Sequence, residues 1–228
     1  PHQTGLYWGF TRVNGQSVPE ETLTRWFYEP DKPDDIAEAI GRDFFHNPGA
    51  DYWRRRSASV VVASGAEVKW QTVYDMLDAA GAAIMTETQN WTMSLSGDRY
   101  VLDLDWVGEA LTDITINEFD YGGMFLRMPW HEGIRGDAVN AARQRNSQAE
   151  GQRAMWVDVG MQIDGRDDLA HVAIFDHPTN AGFPQAFRVD GQLGVGPARA
   201  RLGDWHVAEG SSESIRHRLI VYTGDLND

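Results

Sequence analysis

Met155-Trp156-Val157-Asp158-Val159-Gly160-Met161-Gln162 is the stretch whose reading decides the fold. Successive side chains of an extended chain point to opposite faces, so Met155, Val157, Val159 and Met161 share one side and Trp156, Asp158, Gly160 and Gln162 the other. The pattern predicts a half-buried strand. Ile215, His217, Leu219 and Val221 repeat it near the C-terminus. Six further segments, 57–63, 83–96, 100–107, 111–118, 123–128 and 170–175, read as strands. They are punctuated by turn signals such as Ser96-Gly97-Asp98, Tyr121-Gly122-Gly123 and Asp164-Gly165. So many short strands predict an all-β, antiparallel β-sandwich or barrel rather than βαβ units.

Helical signals are few. Residues 34–42 open after Pro33 with acidic residues in the first turn, which predicts a short helix inside an insertion spanning 20–47. Trp70, Val73, Tyr74 and Leu77 fit either a helix closed by Gly81 or two strands around a turn at 78–81, and the strands are preferred. Residues 136–152 are polar and lack apolar periodicity, so they read as a long loop able to act as a lid. With no repeat and no linker, residues 1–228 read as one domain.

Composition narrows the partners. Hydrophobic residues make up 42% of the 228, with nine Trp, enough for a sizeable core. A net charge of −14 argues against nucleic acid or an anionic membrane surface, both of which require a basic face. A small, uncharged or weakly charged ligand fits better, and oligomeric state is not legible. Without cysteine there is no thiolate nucleophile, zinc–thiolate site or iron–sulfur cluster. No apolar run approaches the roughly 18 residues of a membrane span, so the chain reads as soluble. It begins Pro1-His2 rather than with Met, the mark of a processed or trimmed N-terminus, which leaves the compartment undecided.

Function is sought where a strand ends in a polar corner, His171-Val172-Ala173-Ile174-Phe175-Asp176-His177-Pro178-Thr179-Asn180. Pro178 stops the ladder, leaving Asp176, His177 and Asn180 where a rigid sheet hands over to a loop. An Asx-type turn is the competing reading of the same residues.

This run, together with Pro1-His2-Gln3-Thr4-Gly5-Leu6-Tyr7-Trp8, Gly123-Met124-Phe125-Leu126-Arg127-Met128 and Trp156-Val157-Asp158, resembles the DUF6807 family. Members of that family also carry the labels "PmoA family" and "methane oxygenase". The resemblance implies a galactose-mutarotase-like supersandwich with few short helices, a sugar-binding concave face and a place in carbohydrate catabolism. It also implies strands and a Pro-His-His-Arg-Gly motif at the start, so the domain is expected to lack N-terminal strands. Gln3 and Thr4 replace the motif's second histidine and arginine, and Ala186-Phe187 stand where the family has Trp-His. The methane label conflicts with the chain itself, since a membrane-bound methane-oxidising subunit is a bundle of apolar helices.

Of the seven histidines, His2, His131 and His177 lie in or next to family-like segments; His171 and His217 read as strand-embedded and His46 as structural. Glu118 and Arg127 bracket the Tyr121-Gly122-Gly123 turn, where a carboxylate and a guanidinium could pair or face a sugar. Trp156 and Asp158 share a strand face, an aromatic platform beside an acid. No metal is expected: His-x-x-x-His spacing is missing, and Pro1 precedes the histidine that a copper brace would need at the terminus. No cofactor is expected either. The leading expectation is a carbohydrate-active enzyme acting on a neutral or oxidised sugar by general acid/base chemistry, of hydrolase, lyase or mutarotase type. His177, Glu118, His2 and Asp158 are its catalytic candidates. Arg127, Trp156, Asn180, His131 and Asp176 are its binding candidates, all converging on one sheet face. The alternatives are a non-catalytic sugar-binding module and a metal-dependent oxygenase.

Overall fold

Two-residue periodicity becomes two packed antiparallel sheets. The computed structural model describes residues 4–28, 39–47 and 49–226, with backbone alone at 26–28. In chain order the elements are β1 (Gly5–Gly9), helix α1 (Glu20–Tyr28), β2 (Trp53–Val62), β3 (Glu67–Leu77), β4 (Ala83–Ser96), β5 (Arg99–Ala110), β6 (Ile114–Ile116) and β7 (Gly123–Arg127). There follow β8 (Gly136–Asn140), β9 (Trp156–Gln162), β10 (Leu169–Asp176), β11 (Phe187–Val189), β12 (Gly194–Pro197), β13 (Trp205–Val207) and β14 (Ser212–Gly224).

The large sheet has eight strands in the order β2-β3-β4-β5-β14-β10-β9-β8, the small one four in the order β1-β7-β12-β11, and β13-β6 form a two-stranded ribbon. Strand pairing carries one face across the large sheet, from Trp70 to Trp91, Leu104, His217 and Asp176. This inward face meets the small sheet. Trp8 of β1 stacks on Trp106 of β5 at 4.8 Å between ring centroids, and Phe10 meets the same indole edge-on. Met124, Leu126, Phe187, Val189 and Val195 of the small sheet close the core. Val157, Val159 and Met161 are buried in it, and so are Ile215, His217 and Leu219, as the alternation predicts. On the other face of the small sheet Phe45, Tyr121 and Phe125 form a second cluster with Tyr7.

Local departures from the expectations have physical reasons. Of the segment expected to be helical, residues 34–38 lie outside the described residues, while Arg42 bridges Val13 in antiparallel fashion. The long described helix is α1, which follows Pro19 and carries Glu20 and Glu21 in its first turn. Trp70 to Leu77, by contrast, belong to strand β3 and pair with β4 beyond the 78–81 turn, as the preferred reading has it; Trp70 and Tyr74 face inward and Val73, at odd spacing, faces away. Residues 136–152 are not a free lid. They begin with β8, an edge strand on β9, and a turn follows in which Asn140 Oδ1 accepts the N–H groups of Ala142 and Gln144 at 3.0 Å each. Their polarity serves this local bonding.

Candidate functional site

The large sheet is wider than the small one, and β1 is the small sheet's edge. Where β2, β3 and β4 meet that edge, a cavity of about 500 Å³ opens between the sheets. It is lined by Leu6, Tyr7, Trp8, Trp53, Trp70, Thr72, Tyr74, Glu87, Gln89, Trp91, Leu102, Leu104 and Met124. Register orders these groups along the strands. Tyr74 lies opposite Glu87, Thr72 opposite Gln89, and Trp70 opposite Trp91. Polar groups therefore occupy the inner end, and tryptophans follow. Leu6, 38% exposed, and half-buried Leu102 stand nearer the solvent.

Glu87 is the chemical centre. The alternation Met85, Glu87, Gln89, Trp91 turns into the core while Thr86, Thr88, Asn90 and Thr92 turn out, so the carboxyl is carried inward and is only 2% exposed. Its Oε2 accepts the Trp106 Nε1–H at 2.8 Å and its Oε1 the Gln89 Nε2–H at 2.9 Å. Gln89 Oε1 in turn accepts the Trp91 Nε1–H at 3.1 Å. Burial pushes the Glu87 carboxyl up to about 7, with the donors from Trp106 and Gln89 pulling part of the way back. A group so placed is present as acid and as base near neutrality, which suits proton transfer. Trp8 adds a buried indole Nε1–H with no acceptor among the described residues. Trp53 meets Tyr74 edge-on at 6.3 Å, and Trp70 and Trp91 lie parallel, 5.8 Å apart and 7° from coplanar.

The residues singled out from sequence do not converge on one face, as had been expected. His2 lies outside the described residues. Asp176, His177 and Asn180 form the Asx-type corner: Asp176 Oδ1 accepts the Asn180 Nδ2–H at 2.7 Å and the His177 N–H at 3.0 Å, and Oδ2 accepts the Gln185 N–H at 2.8 Å. Asn180 also clasps the Arg216 backbone at both its N–H and its C=O, at 2.9 and 2.7 Å. His177 lines a separate cavity of about 650 Å³ with Asn90, Thr92, Asp103, Asp105 and Phe175. Its Nδ1 is engaged by Thr179 at 2.8 Å.

Glu118 is exposed at a third cavity of about 990 Å³, beside Arg12, Arg153 and Arg188. That cavity is larger, but its guanidinium groups are already engaged: Arg12 donates to the Gln16 C=O at 2.6 Å and Arg188 to Glu150 at 2.8 Å. The expected Glu118–Arg127 pairing is replaced. Arg127, 6% exposed, donates to Asp190 at 2.6 Å and to Gln192 at 2.7 Å, because the β7–β12 pairing brings the 190–194 turn beside it. Trp156 and Asp158 share the outward face of β9, as expected. Asp158, though, is 1% exposed and is held by the His171 imidazole at 2.7 Å and the Tyr222 hydroxyl at 2.8 Å. Burial opposes a charge on His171, but the hydrogen bond to Asp158, the charge of that carboxylate and the Gly224 backbone and Asp225 charge together outweigh it and raise the imidazole. His131 is exposed in a loop, its ring bonded to the Glu132 C=O at 2.9 Å. Among the described residues no group of three or more His, Asp or Glu side chains is placed to hold a metal ion, and no helix is long and apolar enough to cross a membrane.

Sequence reasoning missed Glu87, Gln89, Trp8, Trp53 and Tyr74. A signal for Glu87 was present: the phase set by Met85 and Trp91 places an unpaired acid on the apolar side of strand 83–96.

The family DUF6807, described as a family of unknown function, matches over residues 1–228. Among curated proteins none matches the sequence. Similar solved structures include the GH36 alpha-galactosidase AgaA from Geobacillus stearothermophilus in complex with raffinose, at 8% identity, TM-score 0.46, 76% of this chain and 28% of that one. The galactose mutarotase related enzyme from Lactobacillus acidophilus gives 9% identity and a TM-score of 0.37 over 73% of this chain and 71% of that one. The alpha-galactosidase from Lactobacillus brevis gives 8% and 0.40 over 82% and 28%. This chain thus spans 28% of the length of the alpha-galactosidase chains.

Proposed function

The chain belongs to the DUF6807 family, and we propose that it binds a carbohydrate in the aromatic cavity between its sheets, with Glu87 as the group that exchanges a proton with the bound sugar. The observation that carries this reading is a nearly fully buried carboxyl in a cavity whose walls include Trp53, Trp70, Tyr74 and Trp91. Aromatic faces stack on the C–H faces of a pyranose, while a few fixed polar groups, here Thr72, Glu87, Gln89 and the Trp8 N–H, meet its hydroxyls. In its neutral form Glu87 donates a proton to a sugar oxygen; in its ionised form it takes one back. Burial keeps the neutral form present near neutrality and makes the ionised form a stronger base than an exposed carboxylate.

Among the described residues Glu87 is the one carboxyl that lines this cavity. Glycoside hydrolysis by two flanking carboxylates is therefore not built from them. The acid/base reading here is a proton transfer of mutarotase or lyase type, and the same fact favours a second reading, a sugar-binding module without turnover. Calorimetric titration with a panel of methyl and phenyl glycosides, followed by product analysis, tests both. Under the first, Glu87→Gln removes turnover while affinity changes less than about tenfold, since an acid/base group acts chiefly in the transition state. Under the second, no sugar is turned over and Trp53→Ala removes binding. Sugar affinity unmoved by Trp53→Ala in a folded protein would place the site elsewhere.

A further inference from the structure

Resting on that reading of the cavity, we infer that its ligand is an uncharged glycoside carrying an apolar aglycone, with the sugar at the Glu87 end and the aglycone between Trp70, Trp91, Leu102 and Leu6. The cavity is graded along the strands. Its inner end holds Tyr74 opposite Glu87 and Thr72 opposite Gln89, with Trp53 against Tyr74. The next pair outward is Trp70 and Trp91, parallel to each other, and Trp91 faces Leu104 on β5. Paired positions two residues apart are about 7 Å distant along a strand, roughly the length of one sugar ring, so the polar end accommodates one pyranose. Beyond it the polar atoms of the Trp70, Trp91, Leu102 and Leu6 side chains are indole N–H groups alone, and that of Trp91 is already held by Gln89. A volume of about 500 Å³ lies in the range of whole drug-sized ligands rather than of single rings.

Charge selects in the same direction. Among the described residues no Arg, Lys or His lines the cavity, so a uronate or aldonate carboxylate would meet Glu87 there and no cationic side chain of those residues. That is the costliest arrangement a buried site can present. The apolar surface also continues past the mouth. Met93 lies opposite Leu102 on the inward face, and Leu95 opposite Tyr100 beyond it; those last two are 63% and 51% exposed. An aglycone longer than one ring would emerge along that strip.

The test uses the whole chain and three matched sets of probes, each taken in both anomers: methyl glucoside and galactoside, the phenyl glycosides of the same two sugars, and phenyl glucuronide. Affinities come from titration calorimetry. The expected result is a phenyl glycoside bound on the order of tenfold more tightly than the methyl glycoside of the same sugar, from burial of one ring. Phenyl glucuronide should bind at least tenfold more weakly than phenyl glucoside. Leu102→Ala and Trp70→Ala, checked for folding by circular dichroism, should narrow the phenyl-over-methyl ratio. Equal methyl and phenyl affinities, or a glucuronide bound as well as the neutral glycoside, overturn this inference and leave the sugar site standing. Phenol binding as tightly as phenyl glucoside, or no binding by any glycoside, overturns the sugar site and the inference with it.

Discussion

Glu87 and Trp106 are joined by a 2.8 Å hydrogen bond, the indole N–H donating to Oε2, at a place where the indole is fully buried and the carboxyl nearly so. That bond holds an acid in the core without a cation, and stability must depend on its proton. The folded carboxyl ionises near 7, against an ordinary 4.5 in the unfolded chain. Between these values the folded state keeps a proton that the unfolded state has lost. The Glu87 contribution is therefore fully present below about pH 4.5 and is lost as pH rises through about 7, on the order of 3 kcal/mol in all. Urea denaturation of Glu87→Gln at steps from pH 4.5 to 8 should show that component of the slope gone. A variant with the wild-type pH slope would remove Glu87 from this role.

His217 acts in the opposite sense. Its ring is buried on the same inward face, bonded to the Phe175 backbone, and burial lowers its ionisation from 6.5 to about 3. Asp176 Oδ1 lies 3.7 Å from its Nδ1, but that oxygen is already held by Asn180 and His177, so the pair stays a neutral imidazole beside an engaged carboxyl. Below about 6.5 the unfolded chain takes a proton that the folded chain refuses, and stability falls as pH drops toward about 3. His217→Gln should flatten this acid limb while Glu87→Gln steepens it. Parallel acid limbs in the two variants would contradict both assignments.

Both groups show why the fold was more legible than the site. Alternation along 215–219 reports burial directly, whereas along 155–162 it places the strand although Asp158 and Gly160 on its second face are buried too and Met155 is 54% exposed. A cavity between sheets depends instead on which strands become neighbours, and nothing local in Trp8, Trp53 or Glu87 announces that β1, β2 and β4 will meet. The polar corner at 176–180 looked functional for the opposite reason. Asp, His and Asn are the residues of both active sites and tight turns, and here their hydrogen bonds close a turn and tie it to β14. Over Trp70 to Leu77 the helical spacing coexists with the strand preferred there, because both faces of β3 are partly apolar.

Gly160 makes room for a buried polar cluster. It pairs with His171 across β9 and β10, and a Cβ at Gly160 would stand 2.4 Å from His171 Cε1 and 2.6 Å from Nδ1. The ring, stacked on Tyr222 at 4.8 Å and bonded to Asp158, has to yield to admit it. Gly160→Ala should cost about 1–3 kcal/mol by overpacking and by breaking the bond to Asp158. The readout is the urea midpoint, and in a His171→Ala background most of that cost should disappear. A glycine variant as unstable in that background as alone would show the strain to lie in the backbone.

The two faces of the large sheet offer rival places for chemistry, and one pair of substitutions separates them. Trp53 and Glu87 line the cavity between the sheets, while His177 lines the one with Asp103 and Asp105. The buried face is preferred because its carboxyl is shielded, meets two N–H donors and stands among aromatic walls. In the other cavity Arg218 and Asp103 form a partly exposed pair, 2.6 and 2.9 Å at their two contacts, of the kind that solvated sheets carry. With a glycoside that binds the wild type, Trp53→Ala should weaken affinity by tenfold or more, as loss of an aromatic platform does. Glu87→Gln should lower turnover by about 100-fold or more. His177→Ala should change each of these by less than about threefold, a difference of under 1 kcal/mol. Loss of turnover in the His177 variant, with Trp53→Ala and Glu87→Gln without effect, would move the chemistry to the outward face and make the aromatic cavity a packing defect of the wider sheet.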